Sequence, residues 1–306
     1  MAYFSTPIRR YNRIYIDGVF DPTKIVKAYT NSSTLTDFTK PPYSIVDGKL
    51  VYYNDKLYLI GGTNSTQAFR YYNPTEHRWE SMSTNLPIDF TNGIVVANGS
   101  NLHIMQGTSH WVYNNSYWEQ RANVPFTATG QPGVVFDGYV HVVGNGYLYR
   151  YESIYNRFVQ VASLPSGMTT SYAMAATYQN AIHVIGNKQH YKYTTDFGWS
   201  LVYEFSNNDP TFTHGIAVIF SNRLHVIFQS SQYSDFSYHY VFMDEDGWEK
   251  LDDIGFINIY NGVGIVYTIN NSILMMQKLV AKEFMTLYRI ETITNYEAIE
   301  SESEGD

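Results

Sequence analysis

The chain has no cysteine among its 306 residues. This excludes a disulfide framework, a thiolate nucleophile and a Cys-based metal site, and it leaves the cellular compartment open. Basic residues are also scarce, since 20 Lys and Arg stand against 28 Asp and Glu for a net charge of −8. We therefore expect neither nucleic acid nor an anionic membrane surface as a partner.

Long hydrophobic runs are missing as well. The longest, such as residues 215–220, are far shorter than the roughly 20 apolar residues that span a bilayer. The N-terminal stretch MAYFSTPIRRYNR has no apolar core of signal-peptide length. We expect a soluble protein without membrane insertion, in a virion or in the cytoplasm.

Aromatic residues are abundant, with 29 Tyr, 17 Phe and 5 Trp. Tyr and Phe favour pleated, half-buried surfaces, which indicates strands rather than helices. No stretch longer than a turn has the spacing of an amphipathic helix. The predicted fold class is therefore all-β.

A unit of four predicted strands, a to d, recurs about every 42 residues. Strand a is small and apolar, strand b alternates large aliphatic residues with Tyr or His, strand c carries tyrosines, and strand d has a Trp or Phe. The first aliphatic position of strand b recurs at Leu57, Leu102, Val140, Ile182, Leu224 and Ile273. The aromatic residue of strand d recurs at Trp79, Trp118, Phe158, Trp199 and Trp248.

Such a repeat predicts a β-propeller of four-stranded antiparallel blades, because closure into a ring protects the sheet edges. We predict seven blades; the alternative is six, with the N-terminal segment as an accessory. The end blades depend on the weaker matches at Ile14, at Phe38 and at the segment Asn295-Tyr296-Glu297-Ala298. The predicted blades form a single domain over residues 1–299, followed by an acidic tail at 300–306, and occupy residues 1–42, 44–87, 90–125, 130–165, 168–208, 211–255 and 260–299.

The clearest unit resembles the kelch-repeat propellers. In that family a strand that ends in Gly-Gly is followed by a Tyr and, about seven residues later, by a Trp. Here Gly61-Gly62, Tyr72 and Trp79 match these markers, whereas later units mostly keep one glycine and the fifth has Phe228-Gln229 instead. The resemblance implies architecture and leaves function open.

Four consecutive units carry a histidine at the same position of strand b, namely His103, His141, His183 and His225. Equivalent strands of adjacent blades lie on the order of 10 Å apart, whereas a zinc ion needs its ligands within about 2.1 Å. The column as a whole therefore cannot be one metal site. We interpret these residues as packing positions between blades, each with a polar tip that finds a backbone partner.

No catalytic motif is apparent, and we expect neither a cofactor nor a metal. A phosphate-binding Gly-rich loop, a His-Glu-x-x-His motif and a nucleophile elbow are all missing from the sequence. The turns Asp196-Phe197-Gly198-Trp199 and Asp246-Gly247-Trp248 faintly resemble the sialidase Asp-box, but ordinary c–d hairpins explain both. The sequence leaves open a carboxylate pair that folding would bring together.

Binding is therefore the favoured type of function. In a four-stranded blade the b–c and d–a connections emerge on one face and the a–b and c–d turns on the other. We expect the b–c and d–a loops to be longer and to carry recognition, including residues 63–67 and 229–239. The candidate binding residues on that face are Phe90, His110, Tyr147, His190, Tyr233, Phe236 and Tyr238.

The main hypothesis is a non-catalytic protein-interaction propeller that serves as a structural or adsorption component of a larger assembly, such as a phage or viral particle. Its partners would be other subunits and a host surface protein or glycan. The alternative is a propeller that binds, or acts on, a carbohydrate or another small ligand at the mouth of the central channel.

Overall fold

The computed structural model is all-β over the residues it describes. These are residues 10–16, 19–28, 32–37, 42–43, 47–168, 170, 173–206, 209, 212–220, 222–230, 237–243, 247–251, 259–267, 272–279, 282–291 and 297–300. No helix in this part of the chain is long and apolar enough to cross a membrane.

Five four-stranded antiparallel sheets are each built from four consecutive strands, and we call them blades 1 to 5. Blade 1 contains β4 (Lys49–Tyr53), β5 (Lys56–Ile60), β6 (Phe69–Asn73) and β7 (Arg78–Ser81). Blade 2 contains β8 (Ile94–Asn98), β9 (Asn101–Gln106), β10 (Ser109–Tyr113) and β11 (Trp118–Gln120). Blade 3 contains β12 (Gly133–Phe136), β13 (Tyr139–Gly144), β14 (Tyr147–Glu152) and β15 (Arg157–Ser163).

The last two blades follow the same order. Blade 4 contains β16 (Met174–Tyr178), β17 (Ala181–Gly186), β18 (Gln189–Thr194) and β19 (Gly198–Glu204). Blade 5 contains β20 (Phe212–Phe220), β21 (Arg223–Ser230), β22 (Ser237–Phe242) and β23 (Trp248–Lys250). Each blade is a chain of hairpins in the predicted order a, b, c, d.

The first strands of the five blades contact one another in chain order. A further strand, β24 (Ile259–Tyr267), contacts both β20 and β4. It belongs to a four-stranded sheet of different construction, with the order β24-β25-β26-β3, in which β25 is Ser272–Leu279, β26 is Lys282–Glu291 and β3 is Ser32–Asp37.

The number of predicted blades is therefore wrong. Five blades consist of four consecutive strands, not seven and not the alternative six. The predicted first blade contains instead a hairpin of β1 (Arg10–Ile16) and β2 (Val19–Ala28). The predicted strand d of the last blade is β27 (Glu297–Glu300), which pairs with β2.

Contacts divide the chain into two compact units. One comprises residues 1–36 and 287–306 and contains the three-stranded sheet β1-β2-β27. The other comprises residues 37–286 and contains blades 1 to 5. The acidic residues 301–306 lie outside the described residues.

The a–b turns have the backbone that the sequence predicts. Asn54 and Asp55 have φ values of 46° and 58°, and Gln179 and Asn180 have 45° and 55°. Two successive positive φ values are those of a type I′ turn, whose twist matches the flanking strands.

The hydrophobic core is divided among the contacts between successive blades. One cluster joins blade 1 to blade 2 through Tyr58, Phe69, Leu102 and Tyr113. Equivalent clusters join blades 2 and 3, blades 3 and 4, and blades 4 and 5. Each blade is therefore stabilised by its neighbours, as expected for a repeat whose units cannot bury both faces alone.

Strand d is held to strand c by one aromatic pair in every blade. The ring centroids of these cross-strand pairs are 5.0 to 5.4 Å apart, with interplanar angles of 41° to 57°. The pairs are Tyr72–Trp79, Tyr113–Trp118, Tyr151–Phe158, Tyr193–Trp199 and Phe242–Trp248. The aromatic marker of the sequence repeat thus occupies equivalent surroundings.

Candidate functional site

The b–c connections differ from the prediction in three of the five blades. Strands b and c are joined by two residues in blade 2, in blade 3 and in blade 4, so these connections are as short as the a–b turns. Only blade 1 has a longer described b–c loop, between Ile60 and Phe69. In blade 5, residues 231–236 lie outside the described residues.

Most of the predicted binding residues lie beneath the surface. Phe90, His110 and His190 are fully buried, and Tyr238 is buried as well. Tyr147, at the start of β14, is half-buried. Tyr233 and Phe236 lie outside the described residues. The candidate binding residues that the structure describes are therefore mostly buried side chains.

Phe90 shows why such a loop residue is buried. Its amide donates to the Thr66 carbonyl at 2.9 Å, and its own carbonyl accepts from the Gly62 amide at 3.1 Å. Gly61 has a φ of 57°, and a Cβ there would lie 2.4 Å from the Phe90 carbonyl oxygen. The b–c loop of blade 1 is therefore closed tightly over the segment that leads into blade 2.

This closure forms a polar cleft of about 590 Å³. A hydroxyl–carboxylate hydrogen bond of 2.7 Å joins Thr66 Oγ1 to Asp89 Oδ1 across it. The backbone also crosses the cleft, with the Leu86 amide donating to the Gln67 carbonyl at 3.0 Å. The lining residues are Thr63, Asn64, Ser65, Thr66, Gln67, Ala68, Asn85 and Asp89.

The opposite face, where the a–b and c–d turns emerge, carries exposed apolar side chains. They occupy the c–d turns of three consecutive blades, a set that we call the c–d tips. Their exposed fractions are 58% for Tyr117, 90% for Ile154, 69% for Tyr155 and 88% for Phe197. On the same face, Tyr139, the first residue of β13 after an a–b turn, is 40% exposed.

Local hydrogen bonds fix the backbone of these tips. In blade 2, Asn114 Oδ1 accepts from the amides of Ser116 and Tyr117 at 3.2 and 3.1 Å. In blade 4, the Phe197 amide donates to Thr194 Oγ1 at 3.3 Å. The c–d turns of these blades have only three or four residues, and their apolar side chains are exposed to solvent.

The tip of blade 3 is also tied to blade 2. Asn156 Oδ1 accepts from the Tyr151 hydroxyl at 2.9 Å and from the Ala122 amide at 2.8 Å. The Arg157 guanidinium lies 5.0 Å from the Tyr155 ring centroid and bonds Glu152 at 2.8 Å. Hydrogen bonds from Arg150 and Arg157 lower the pKa of the Glu152 carboxyl.

The predicted histidine column is real, but most of its members have a different partner from the expected one. All four histidines are buried. His141 has the backbone partner, since its Nδ1 lies 3.2 Å from the Tyr139 carbonyl oxygen, and His225 has one at Phe220. The other three each bond a second histidine on strand c.

Three buried imidazole pairs result. The Nδ1–Nε2 distances are 3.0 Å for His103 and His110, 2.8 Å for His183 and His190, and 2.9 Å for His225 and His239. The sequence carries a signal for the pairs, since a second histidine follows seven residues after His103 and after His183.

Burial keeps these imidazoles neutral. It lowers the pKa of His103 to about 4 and that of His110 to about 3, and a nearby histidine or arginine adds to the effect. The pKa of His190 is lowered to about 2 and that of His225 to about 4, again chiefly by burial. The described residues hold no group of three or more His, Cys, Asp or Glu side chains that could bind a metal ion.

Comparison with known proteins bears on the fold. No protein-family model matches the chain, and no curated protein matches it in sequence. Among solved structures, the structure of YjhT matches with a TM-score of 0.69 and 13% sequence identity, over 86% of this chain and 99% of that one. The fold is a β-propeller. In all, 562 solved chains match this fold, and YjhT shares little sequence with the chain. The likeness therefore does not indicate a function.

Proposed function

We propose that this propeller is a non-catalytic protein-interaction module that docks through its c–d tips. The proposal depends on one observation: four exposed apolar side chains lie in the c–d turns of three consecutive blades, on one face. They are Tyr117, Ile154, Tyr155 and Phe197. Scattered single apolar residues are normal on a surface, but a set gathered on one face is typical of an interaction site. Aromatic side chains are also enriched in protein interfaces.

The surroundings of the tips favour a protein partner. An ion pair lies beside the tip of blade 3, where Glu152 bonds Arg157 at 2.8 Å. An apolar centre with a polar, charge-balanced rim is the usual anatomy of a protein interface. The overall charge of −8 disfavours nucleic acid and anionic lipid.

The burial of the histidines supports a binding role over a catalytic one. A general acid or base has to reach the substrate proton and to have a pKa near the working pH. His103, His110 and His190 are buried between blades, with pKa values far below neutrality. These groups therefore stabilise the fold and do not face a substrate.

We extend the proposal to the kind of partner, which would be a subunit of a larger particle such as a phage or virus. We also propose that the propeller is related to the kelch-repeat propellers. The kelch-like relationship is supported by Gly61-Gly62, Tyr72 and Trp79. The particle is supported by a composition rich in Tyr, Asn and Ser and free of cysteine.

Site-specific photocrosslinking tests the docking face. A photoreactive amino acid is placed at Tyr155 or Phe197 on the c–d tips and, as a matched exposed control, at Gln67 on the opposite face. We expect the two tip positions to crosslink to one protein in the cells or particles that contain the chain, and Gln67 not to. Adducts at Gln67 alone, or at none of the three positions, would contradict the proposal.

The crosslinked partner is then purified and titrated against the double variant I154S/F197S. Truncation of one hot-spot side chain at an interface centre costs about 2 kcal/mol or more, which is more than tenfold in Kd. We expect at least a tenfold weaker Kd with an unchanged Tm. An unchanged Kd would show that the crosslinks came from incidental proximity.

The polar cleft of blade 1 favours a second candidate, the binding of a neutral polyhydroxyl ligand such as a saccharide. Its lining offers hydroxyls, side-chain amides and the Asp89 carboxylate, with no Lys or Arg. Such a set can hydrogen-bond ligand hydroxyls, whereas the carboxylate would repel an anion.

Saturation-transfer NMR with neutral mono- and disaccharides tests this candidate. Binding should be lost in N64A and D89A and kept in S116A, a polar deletion on the opposite face. Transfer that persists in both cleft variants, or that no saccharide shows, would eliminate the cleft as a saccharide site. The docking proposal is independent of this result.

A further inference from the structure

One pair of positions is equivalent in all five blades, on strands b and c at the face that meets the next blade. The pairs are Tyr58/Phe69, His103/His110, His141/Leu148, His183/His190 and His225/His239. In blade 1 the two rings stack with centroids 5.2 Å apart at 24°, and in blade 2 the two imidazoles stack at 5.3 Å and 17°. The apolar aromatic pair of blade 1 and the imidazole pair of blade 2 therefore occupy equivalent positions with similar ring geometry.

The strand-c member of each pair forms the contact with the next blade. His110 packs against Tyr151 of blade 3 at 4.7 Å and 89°, and His190 packs against Phe242 of blade 5 at 4.9 Å and 89°. Phe69 packs against Tyr113 of blade 2 in the same way, at 5.1 Å and 83°. The imidazole pairs thus lie in the contacts, or seams, between blades 2 and 3 and between blades 4 and 5.

Hydrogen-bond partners define where the protons are in these seams. In the blade 4–5 seam the Trp248 indole donates to Nδ1 of His190 at 3.2 Å, so His190 carries its proton on Nε2 and donates it to Nδ1 of His183. In the blade 2–3 seam Nδ1 of His110 lies 3.3 Å from the Ala122 carbonyl oxygen, so His110 donates there and His103 donates to Nε2 of His110. These arrangements require a neutral imidazole at His110 and at His190, because each uses one ring nitrogen as an acceptor.

Protonation would break either arrangement, because an imidazolium has no acceptor nitrogen. Adding a proton to His110 turns its Nε2 from the acceptor of the His103 proton into a second donor. Adding a proton to His190 turns the acceptor of the Trp248 indole into a donor facing another donor. The seams with Phe69 and Leu148 have no such group at the strand-c position.

We propose that the two seams that contain an imidazole pair are acid-labile: when the pH falls below the ordinary pKa of histidine, proton uptake by these pairs opens the contacts between blades 2 and 3 and between blades 4 and 5, whereas the seam at Phe69, which has no histidine at either position, stays closed. This inference goes beyond the proposed docking function and is independent of the partner. The proposal concerns these two seams and does not extend to the third pair, His225 and His239.

The charged groups around the blade 2–3 pair act in the same direction. Arg121 lowers the pKa of both His103 and His110, and its partner Glu119 is directed to the guanidinium at 2.7 Å. Tyr151 of the next blade, which faces both imidazoles, is neutral because burial raises its pKa. A proton in this seam therefore meets a guanidinium and a neutral phenol.

The groups around the blade 4–5 pair are similar. Burial is the main cause of the lowered pKa of His190, His183 lowers this pKa further, and Lys192, the cross-strand neighbour of His183, adds a smaller effect. Tyr178 packs on His183 at 5.5 Å, and the next blade presents Phe242 and Trp248.

The sign and size of the effect follow from proton linkage. The opened histidines take up protons below a pKa of about 6.5, whereas closed His103 and His110 take them up only near 4 and 3. The closed seam is therefore most stable above pH 6.5 and loses stability as the pH falls through that value. Between pH 7.5 and pH 5 the opening constant of the blade 2–3 seam should rise on the order of a thousandfold.

Hydrogen exchange measured by mass spectrometry at pH 7.5 and pH 5, corrected for the intrinsic exchange rate, tests the proposal on the full chain. The decisive variant is H103Y/H110F, which installs the aromatic pair of blade 1 in blade 2. We expect the opening constant of β10 and β14 to rise on the order of a thousandfold in the unmodified protein and less than tenfold in the variant. The control H77Q, at an exposed histidine, should behave as the unmodified protein.

An equal rise in the unmodified protein and in H103Y/H110F would overturn the proposal. If that variant does not fold at pH 7.5, NMR titration of the unmodified protein decides. The assigned His103, His110 and His190 signals should show no titration in the folded state above pH 5. A folded-state titration of any of them near pH 6.5 would contradict it.

Discussion

At the residue scale, Gly61 shows how one position shapes the surface. Its φ of 57° and its contact with the Phe90 carbonyl close the b–c loop over the start of the next blade. Gly99 has nearly the same φ, 58°, but nothing lies within 4 Å of a Cβ built there. A comparison of substitutions at these two glycines therefore separates the free-energy cost of a left-handed backbone from that of a steric clash.

We predict that Gly61→Ala destabilises the protein more than Gly99→Ala does. Both substitutions carry the cost of a left-handed alanine, about 1 kcal/mol, and Gly61→Ala adds an overpacking cost of about 1–3 kcal/mol. Urea unfolding at pH 7.5 measures both. Equal losses would mean that the Gly61–Phe90 contact is looser than 2.4 Å implies.

The histidines show what the sequence could and could not predict at this scale. A fixed position on strand b predicts burial, because the pleat places alternate side chains on the same face. The second histidine of each pair depends on the b–c register, which is set by the turn length. Because His239 lies 14 residues after His225 while His110 lies seven after His103, a constant spacing could not reveal all three pairs.

At the element scale, the aromatic residues of strands c and d link each blade to the preceding one. Trp118 of blade 2 packs on Tyr113 of its own blade at 5.1 Å and on Phe69 of blade 1 at 5.3 Å. The indole nitrogens of Trp118 and Trp199 are buried without a hydrogen-bond partner, whereas that of Trp248 donates to His190. The difference follows from the strand-c residue of the preceding blade. His190 offers an acceptor nitrogen to the Trp248 indole, whereas Phe69 and Leu148 offer no acceptor to Trp118 and Trp199.

A double-mutant cycle tests this link between blades. For Phe69→Leu and Trp118→Leu we predict a coupling of about 0.5–1.5 kcal/mol, the usual value for an aromatic pair. The control cycle pairs Phe69→Leu with Trp199→Leu two blades away and should be additive within about 0.5 kcal/mol. Urea unfolding of the three single variants, the two double variants and the parent gives both values. Additivity in the first cycle would show that blades 1 and 2 do not share this contact.

The sequence predicted the a–b turns but not the b–c loops. The a–b turns follow from Asn, Asp and Gly at positions that need positive φ, and they have that backbone. The b–c loops did not follow, because the Asn145-Gly146 and Asn187-Lys188 segments were interpreted as parts of longer loops although each forms a two-residue turn. The exposed c–d tips were missed because the c–d turns were interpreted only as ordinary hairpins, and recognition was assigned to the loops of the other face.

At the scale of the whole molecule, the repeat predicted the blades and not their number. Five blades keep both the strand-b and the strand-d markers, and these form from consecutive strands. The ends carry only partial markers. The period of a sequence repeat does not determine which strands pair in space. The pairing of β27 with β2 could therefore not be predicted from the repeat.

The buried histidines also make a prediction for global stability. Burial lowers the pKa values of His103, His110, His190 and His225 to about 4, 3, 2 and 4, and lowers that of His239 as well. The unfolded chain binds these protons below about pH 6.5, so each group costs about 1.4 kcal/mol of stability per pH unit below that value. We predict acid unfolding above pH 4.

Circular dichroism between pH 7.5 and pH 4 measures this transition. The free energy of unfolding should be highest above pH 6.5 and should fall steeply below it, with an uptake of several protons. A free energy that stays constant down to pH 5 would contradict the burial of neutral imidazoles in all three pairs.

The most direct test of the proposed role is a cryo-EM structure of this propeller in the native assembly from which it can be isolated. The account predicts that Tyr117, Ile154, Tyr155 and Phe197 are buried against a partner subunit and that the cleft beside Asp89 remains open to solvent. A map in which those four side chains stay exposed while the opposite face is covered would contradict it.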